Sequence, residues 1–231
     1  MIRFLLGVVL LSSLGCPSTR TSIPKLDAKI SIDGRLQESF WSDAYAVTTF
    51  KNLLDTTANL NPNTTALLIA YTQEALLLGG VIYYEELPVS TMTTRDTTLY
   101  LEHCFEVFFD PGADGINYYE LEINPIGTIW DLKLVDTEGQ INAPENILPW
   151  DLPLKQVSTF IDKSSRYWSF EVAIPWGHIE EGRPAKSDDH WSFNAMRIDY
   201  ESSHQPSFWV WQRTGTRNIH EPSRWVKLAF D

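Results

Sequence analysis

The fold is decided by residues 102–131, which read EHCFEVFFDPGADGINYYELEINPIGTIWD and contain three successive strand patterns. Apolar and polar residues alternate before position 110, and side chains of a strand point alternately to its two faces. Proline and glycine in residues 110–115 predict a hairpin loop, because proline fixes φ and glycine tolerates positive φ. The returning strand alternates in the same way. We therefore predict two antiparallel strands that share one apolar face and one polar face.

The polar face of this hairpin carries Glu106 on the first strand and Glu120, Glu122 and Asn124 on the second. A sheet face with carboxylates, an amide and aromatic residues is typical of a surface that binds a polyhydroxylated ligand. Antiparallel sheets also commonly have one face in contact with water. The pattern alone leaves both alternatives open, a binding surface and an ordinary solvated face.

The remaining chain indicates one all-β domain. An aromatic helical turn at Leu36, Phe40 and Trp41 is predicted to pack on a sheet. Further strand patterns lie in residues 64–71, 75–83, 156–160, 167–174, 191–200 and 208–211. A chain of 231 residues, 43% of them hydrophobic, can bury a sizeable core in one domain. We predict a two-sheet antiparallel β-sandwich, jelly-roll-like, with short helical turns.

One of these strands, residues 191–200, permits two arrangements. A bulge after Ala195 would bring Trp191, Phe193, Ala195 and Ile198 near the core. Without a bulge, the residues that share a face are Asn194, Met196, Ile198 and Tyr200.

The charge of the chain restricts its ligands. A formal net charge of -12 disfavours nucleic acid, which is held mainly by Lys and Arg, and disfavours adsorption to anionic lipid. A neutral ligand such as a sugar suffers no such repulsion.

The first residues resemble an export signal. Residues 1–15 have a positive start and an apolar run too short to span a bilayer, which predicts a signal peptide. Cys16 follows a sequence similar to a bacterial lipobox, so we expect it to be lipidated, with residues 16–24 as a tether and residues 25–231 as the domain. Cys104 would then be the only free thiol, and we expect it to be buried. These features predict an exported lipoprotein of the bacterial cell envelope, anchored in the outer membrane.

Several motifs together resemble the family 9 carbohydrate-binding modules and their DOMON-like relatives. The motifs are IDG at 32–34, FW at 40–41, FEVFFDP at 105–111, WSFEVAIPW at 168–176, NAMR at 194–197 and HEPSRW at 220–225. The resemblance implies a β-sandwich that holds the end of a glycan between two aromatic residues above polar side chains. Carried over by position, the ligand-binding residues are Tyr100, Glu106, Glu122 and Asn124.

Two positions differ from the pattern of that family. Glu122 stands where an arginine is expected, and no tryptophan stands near Ile219, where the second aromatic is expected. Three other tryptophans are candidates for that role: Trp130, Trp209 and Trp211. Arg197 is expected to bond hydroxyls together with Glu106 and Asn124. Asn194 and Arg197 have an alternative role, which is to hold the last strands in register.

The resulting prediction is non-catalytic binding of an oligo- or polysaccharide, and two other functions remain as alternatives. A glycosidase would use two of the carboxylates Glu102, Glu106, Glu120 and Glu122. A haem-binding electron-transfer domain would need axial ligands from Met92, Met196, His103, His178, His190, His204 and His220. We expect no cofactor, except that Asp110 and Asp114 in the hairpin loop are candidates for a structural calcium ion, with a plain hairpin loop as the alternative.

Overall fold

The computed structural model of the protein describes residues 21–27, 29–58, 64–135, 146–179, 182–187, 189–200 and 205–231. The predicted signal peptide, Cys16 and His204 lie outside these residues. Within the described part, no helix is both long enough and apolar enough to cross a membrane.

The described residues form strands and short 3-10 turns. The strands are β1 (Ser22–Ile23), β2 (Tyr45–Val47), β3 (Lys51–Asn52), β4 (Thr65–Tyr71), β5 (Ala75–Tyr83), β6 (Cys104–Asp110), β7 (Tyr118–Ile123), β8 (Ile129–Leu134), β9 (Ile147–Pro149), β10 (Val157–Asp162), β11 (Tyr167–Pro175), β12 (His190–Tyr200), β13 (Pro206–Val210) and β14 (Val226–Phe230). The 3-10 turns are Ser39–Asp43, Leu99–Leu101, Pro111–Ala113, Leu154–Gln156, Trp176–His178 and Pro222–Arg224.

These strands form two sheets, as the sequence predicted. The larger sheet has the order β1-β14-β12-β6-β7-β8-β9, and β13 pairs with both β12 and β3. The smaller sheet has the order β10-β11-β5-β4-β2. Every described strand pair is antiparallel except β1 with β14, which is parallel. The prediction of an all-β sandwich is confirmed.

The main core lies between the facing sides of the two sheets. The alternation of β6 and β7 places Phe105, Val107 and Phe109 from one strand and Tyr119, Leu121 and Ile123 from the other in this core. The smaller sheet contributes Leu67, Ile69, Leu76, Leu78, Val172 and Ile174. The predicted apolar face of the hairpin is therefore the inner face of the larger sheet.

Strand β12 pairs with β6 residue by residue, without a bulge. Asn194 lies opposite Phe108, and Met196 lies opposite Glu106. The alternation is thus unbroken, and the second of the two arrangements considered for residues 191–200 is the observed one.

The N-terminal segment covers the outer face of the smaller sheet. Glu171 of β11, which is fully buried, accepts hydrogen bonds from the backbone N–H groups of residues 33, 34 and 36 and from the indole of Trp41. Gly34 has φ +83°, and a Cβ there would lie 2.6 Å from the backbone of Thr159. The aromatic turn packs on the sheet as predicted.

Two residues of the predicted tether pair with the larger sheet. Ser22 and Ile23 pair with Ala229 and Phe230, and Ile23 is fully buried. The composition of this segment suggested a tether. The burial of Ile23 and the two backbone pairings attach it to the sheet.

Candidate functional site

The predicted polar face of the hairpin is the outer face of the larger sheet. Glu106 lies opposite Glu122 across β6 and β7, and Glu120 lies opposite Phe108. We call Glu106, Glu120 and Glu122 the carboxyl cluster. Because β-strand side chains alternate, all three project from the same side of the sheet.

The carboxyl cluster is buried, which neither alternative from the sequence anticipated. Only 2% of Glu106, 4% of Glu120 and 2% of Glu122 is exposed. A second apolar cluster covers this face; its buried members include Leu99, Cys104, Phe108, Met196, Ile198, Ile219 and Trp225. The row of glutamates is therefore neither an open binding surface nor a solvated one.

Burial changes the proton affinity of the groups in this cluster. Desolvation, followed by the charges of the neighbouring carboxyls, raises the pKa of Glu122 well above its ordinary value, and desolvation also raises that of Glu106. Desolvation raises the pKa of Glu120 to about 8. It has the opposite effect on His220, whose pKa falls to about 4. The Nδ1 atom of His220 lies 2.9 Å from Tyr118 Oη and 3.8 Å from Glu120.

Asn124 is fully buried, and its side-chain amide makes three hydrogen bonds. Its Nδ2 donates to the backbone oxygen of Met92 and to Glu102, each at 2.9 Å. Its Oδ1 accepts from the backbone N–H of Thr128 at 2.8 Å. These bonds close the turn between β7 and β8 and attach the segment around Met92, so Asn124 performs a structural task in this arrangement.

Two aromatic side chains remain accessible above the carboxyl cluster. The rings of Tyr100 and Trp130 have centroids 6.1 Å apart and planes inclined by 25°. Tyr100 is 42% exposed and Trp130 is half-buried. We call these two residues the outer aromatic pair.

Hydrogen bonds hold the turn of Tyr100 in place, and strand pairing positions Trp130. Glu122 accepts a hydrogen bond from the backbone N–H of Tyr100. Tyr200 Oη donates to the backbone oxygen of Tyr100 at 3.1 Å. Trp130 lies opposite Glu122 across β7 and β8. The buried cluster thus supports the turn that presents the exposed tyrosine.

Arg197 lies on the other face of the sheet, so the expected hydrogen-bonding set of Glu106, Asn124 and Arg197 is not brought together. Its guanidinium donates to Thr65 Oγ1 at 2.8 Å and pairs with Asp199 at 2.7 Å. The unbroken alternation of β12 causes this placement, because Arg197 lies one residue from Met196, which faces the cluster.

Asn194 is on the same face as the carboxyl cluster, but its amide is buried. It accepts from the backbone N–H of Gln212 at 3.0 Å and donates to the backbone oxygen of Gln212 at 2.9 Å. This bonding fits the alternative in which Asn194 holds the last strands in register.

Trp209 and Trp211 lie away from the outer aromatic pair. Both pack against the core between the sheets. Trp211 also stands beside Tyr45, with ring centroids 6.1 Å apart, at a groove of about 220 Å³ that residues 45–49 help to line. We call Tyr45 and Trp211 the edge aromatic pair. No signal in the sequence indicated Tyr45, because its neighbour Trp211 lies far along the chain, immediately after β13.

The two aspartates proposed for calcium hydrogen-bond within their own loop. Asp110 accepts from the backbone N–H of Gly115 at 2.9 Å, and Asp114 accepts from those of Ile116 and Asn117 at 2.8 and 2.9 Å. Calcium binding at this loop stays a prediction.

Fold and site together define a β-sandwich domain with an exposed aromatic pair above a buried polar row. Residues 38–177, more than half of the chain, match the family model for carbohydrate-binding family 9, and the chain belongs to this family. The resemblance noted in the sequence is thereby confirmed.

Solved structures show the same fold at low sequence identity. A provisionally described carbohydrate-binding protein from Bacteroides uniformis aligns with a TM-score of 0.68 and 16% identity, over 91% of this chain and 98% of its own. A family 9 module from Caldicellulosiruptor kristjanssonii with cellotriose aligns with a TM-score of 0.57 and 14% identity, over 90% and 93%. The same organism's module with glucose gives 0.59 and 16%, over 90% and 95%. No curated protein matches the chain in sequence.

Proposed function

We propose that this chain is a non-catalytic carbohydrate-binding module that binds a neutral oligosaccharide on the outer aromatic pair. The observation that carries the proposal is the accessibility of Tyr100 and Trp130 on the sheet face of a family 9 domain. The complexes of similar structures with cellotriose and glucose support a saccharide ligand.

The chemistry of the pair suits the apolar faces of sugar rings. Tyrosine and tryptophan offer large flat surfaces together with a polar group, so they can bury sugar C–H groups while remaining near its hydroxyls. The net charge of -12 favours a neutral ligand over an anionic one.

The spacing of the pair decides how a sugar would bind. A ring held between two aromatic planes needs them about 7–8 Å apart, which is two carbon–carbon contacts of about 3.5–4.0 Å. The centroids of Tyr100 and Trp130 are 6.1 Å apart. A sugar therefore stacks on the outward surface of the pair and not between the two rings.

Calorimetric titration with cellotriose and glucose tests this proposal. The protein is the full chain with Cys16→Ser, which removes the predicted lipidation site. Because burying an aromatic side chain contributes roughly 1.5–3 kcal/mol, Tyr100→Ala and Trp130→Ala should each weaken binding by about tenfold or more. Trp211→Ala in the edge aromatic pair, which has the same 6.1 Å spacing, is the matched control and should change affinity by less than about threefold.

Two results would contradict the proposed site. One is unchanged affinity in both Tyr100→Ala and Trp130→Ala when circular dichroism shows that they are folded. The other is loss of binding in Trp211→Ala alone, which would move the site to the groove beside Tyr45.

The proposal includes no catalysis. Glycoside hydrolysis needs two carboxyl groups on either side of an accessible bond. The four glutamates considered for that role, Glu102, Glu106, Glu120 and Glu122, are all buried. We further propose that a lipid on Cys16 anchors the protein at the bacterial cell envelope, which mass spectrometry of the protein purified from membranes would test.

A further inference from the structure

We propose that Cys104, Glu106 and Glu122 form a binding site for a divalent transition-metal ion, of the class of Zn²⁺, beneath the turn that carries Tyr100. This site would bind a metal ion, whereas the outer aromatic pair above it is proposed to bind sugar. The metal proposal does not depend on sugar binding.

Three donor atoms converge beneath the turn. Cys104 and Glu106 are two residues apart on β6, and Glu122 lies opposite Glu106 on β7. One ligand atom from each of the three residues lies within 4.8 Å of the other two. Cys104 Sγ is 3.8 Å from Glu106 Oε1. All three side chains are at most 2% exposed, so the donors converge in the interior of the protein.

One carboxyl oxygen of this group lacks a donor. Glu122 Oε2 is buried and accepts no hydrogen bond from an N–H or hydroxyl group, although the carboxyls of Glu122 and Glu120 lie within hydrogen-bond reach of each other. A buried polar atom left unpaired costs about 1–3 kcal/mol, so such an atom in a native protein calls for a missing partner. A metal ion held against the carboxylate would supply one.

No described Lys or Arg neutralises the carboxyl cluster. Within the described ranges, no Lys or Arg forms an ion pair with Glu106, Glu120 or Glu122. Arg197 follows Met196 on the neighbouring strand, but it points to the opposite face and pairs with Asp199. Buried carboxylates are ordinarily paired or coordinate metals, and in the part of the chain that the structure describes no Lys or Arg is paired with these three.

The donor set indicates the class of metal. Calcium and magnesium take oxygen ligands, whereas a thiol with two carboxyls suits a borderline ion such as Zn²⁺. Zn–S and Zn–O bonds of about 2.3 and 2.0–2.2 Å place tetrahedral ligand atoms about 3.3–3.8 Å apart. The observed limit of 4.8 Å requires the donors to approach by about 1 Å, which rotation of the glutamate side chains can provide.

Binding would release protons. The thiol of Cys104 loses its proton as the S–Zn bond forms, and any proton on the two carboxyls is likewise released to solvent. No electron transfer and no further reactant is involved.

Titration with Co²⁺ tests the proposal directly, because a cobalt–thiolate bond absorbs in the near ultraviolet. The full chain with Cys16→Ser contains Cys104 as its only cysteine, so such a band identifies the ligand without a variant at the site. After removal of metals with a chelator, we expect one equivalent of Co²⁺ to produce the band and Zn²⁺ to displace it. Zn²⁺ should also raise the melting temperature.

Variants then assign the carboxyl ligands. Glu122→Gln should weaken Co²⁺ binding by at least about tenfold, since even outer partners of metal ligands contribute that much. Glu74→Gln, at an exposed glutamate, is the control and should leave the titration unchanged. The proposal is overturned if the folded protein shows no thiolate band with Co²⁺, or if the band is unaffected by Zn²⁺. The first of these results would mean that shared protons, not a metal, neutralise the cluster.

Discussion

Replacing Glu171 with alanine should strongly destabilise the domain by detaching the N-terminal cover from the smaller sheet. The carboxylate of Glu171 accepts four buried hydrogen bonds, at 3.0, 2.9, 3.2 and 3.1 Å from the N–H groups of Asp33, Gly34, Leu36 and the Trp41 indole. The methyl group of an alanine could accept none of them, so up to four donors would lose their partner.

The magnitude follows from the cost of unpaired buried donors. Each costs about 1–3 kcal/mol, but the four share one carboxylate and their losses do not add. The N-terminal segment can also detach, so that its N–H groups bond to water, and this limits the total loss of stability. We therefore expect the free energy of unfolding to fall by about 3–5 kcal/mol. Glu171→Gln keeps one acceptor oxygen and should lose about half as much.

Urea denaturation followed by tryptophan fluorescence measures the loss. Glu74→Ala, at an exposed position on the turn before β5, serves as the control and should change stability by less than about 0.5 kcal/mol. A loss below about 1 kcal/mol in Glu171→Ala would refute the view that this carboxylate holds the N-terminal segment on the sheet.

Three further predictions concern pH, packing and the separation of the two sheet faces. Burial lowers the pKa of His220 from 6.5 to about 4, next to Tyr118 and Glu120. The unfolded chain binds a proton at this imidazole more readily, so the contribution of His220 to stability should decline as pH falls from about 6.5 to about 4, by no more than about 3 kcal/mol, whereas the buried carboxyls with raised pKa act in the opposite direction. In His220→Gln this part of the pH dependence should disappear; an identical pH profile in urea denaturation would show that the imidazole does not titrate as described. Gly80→Ala should lower the free energy of unfolding by about 3 kcal/mol or more, because the added Cβ would lie 2.1 Å from the ring of Phe170. A thermal melt in which the variant is as stable as the parent would contradict that packing. Arg197→Ala should lower stability but change cellotriose affinity by less than about threefold, since Arg197 lies on the inner face; a tenfold loss in calorimetry would show that this face reaches the sugar.

The alternation of the central hairpin was sufficient to predict the core. Phe105, Val107 and Phe109 occupy the inner face because every second side chain of a strand points the same way. The loop at residues 110–115 was equally predictable from its proline and glycines. Local patterns of this kind depend only on neighbouring residues, so they can be read from the sequence.

The burial of the carboxyl cluster could not be predicted in this way. Alternation indicates that Glu106 and Glu122 share a face, but not what covers it. The cover comes from Leu99, Ile219 and Trp225, two of which lie far along the chain from the hairpin. The sequence shows that these residues are hydrophobic, but the place where they pack depends on the packing of distant loops.

The position of Arg197 illustrates the sensitivity of strands to register. The sequence of residues 191–200 permitted two arrangements, and a shift of one residue moves every side chain to the other face. The continuous pairing of β12 with β6 decides between them and places Arg197 opposite Phe105 on the inner face. Short elements were also beyond prediction, as the two-residue strand Ser22–Ile23 shows.

The position of a bound sugar is the sharpest test of binding at Tyr100 and Trp130. A crystal structure of the protein with cellotriose should show sugar carbon atoms within about 4 Å of the rings of Tyr100 and Trp130. Sugar density in the groove beside Tyr45 and Trp211, with the outer aromatic pair unoccupied, would show that the binding site is not the outer aromatic pair.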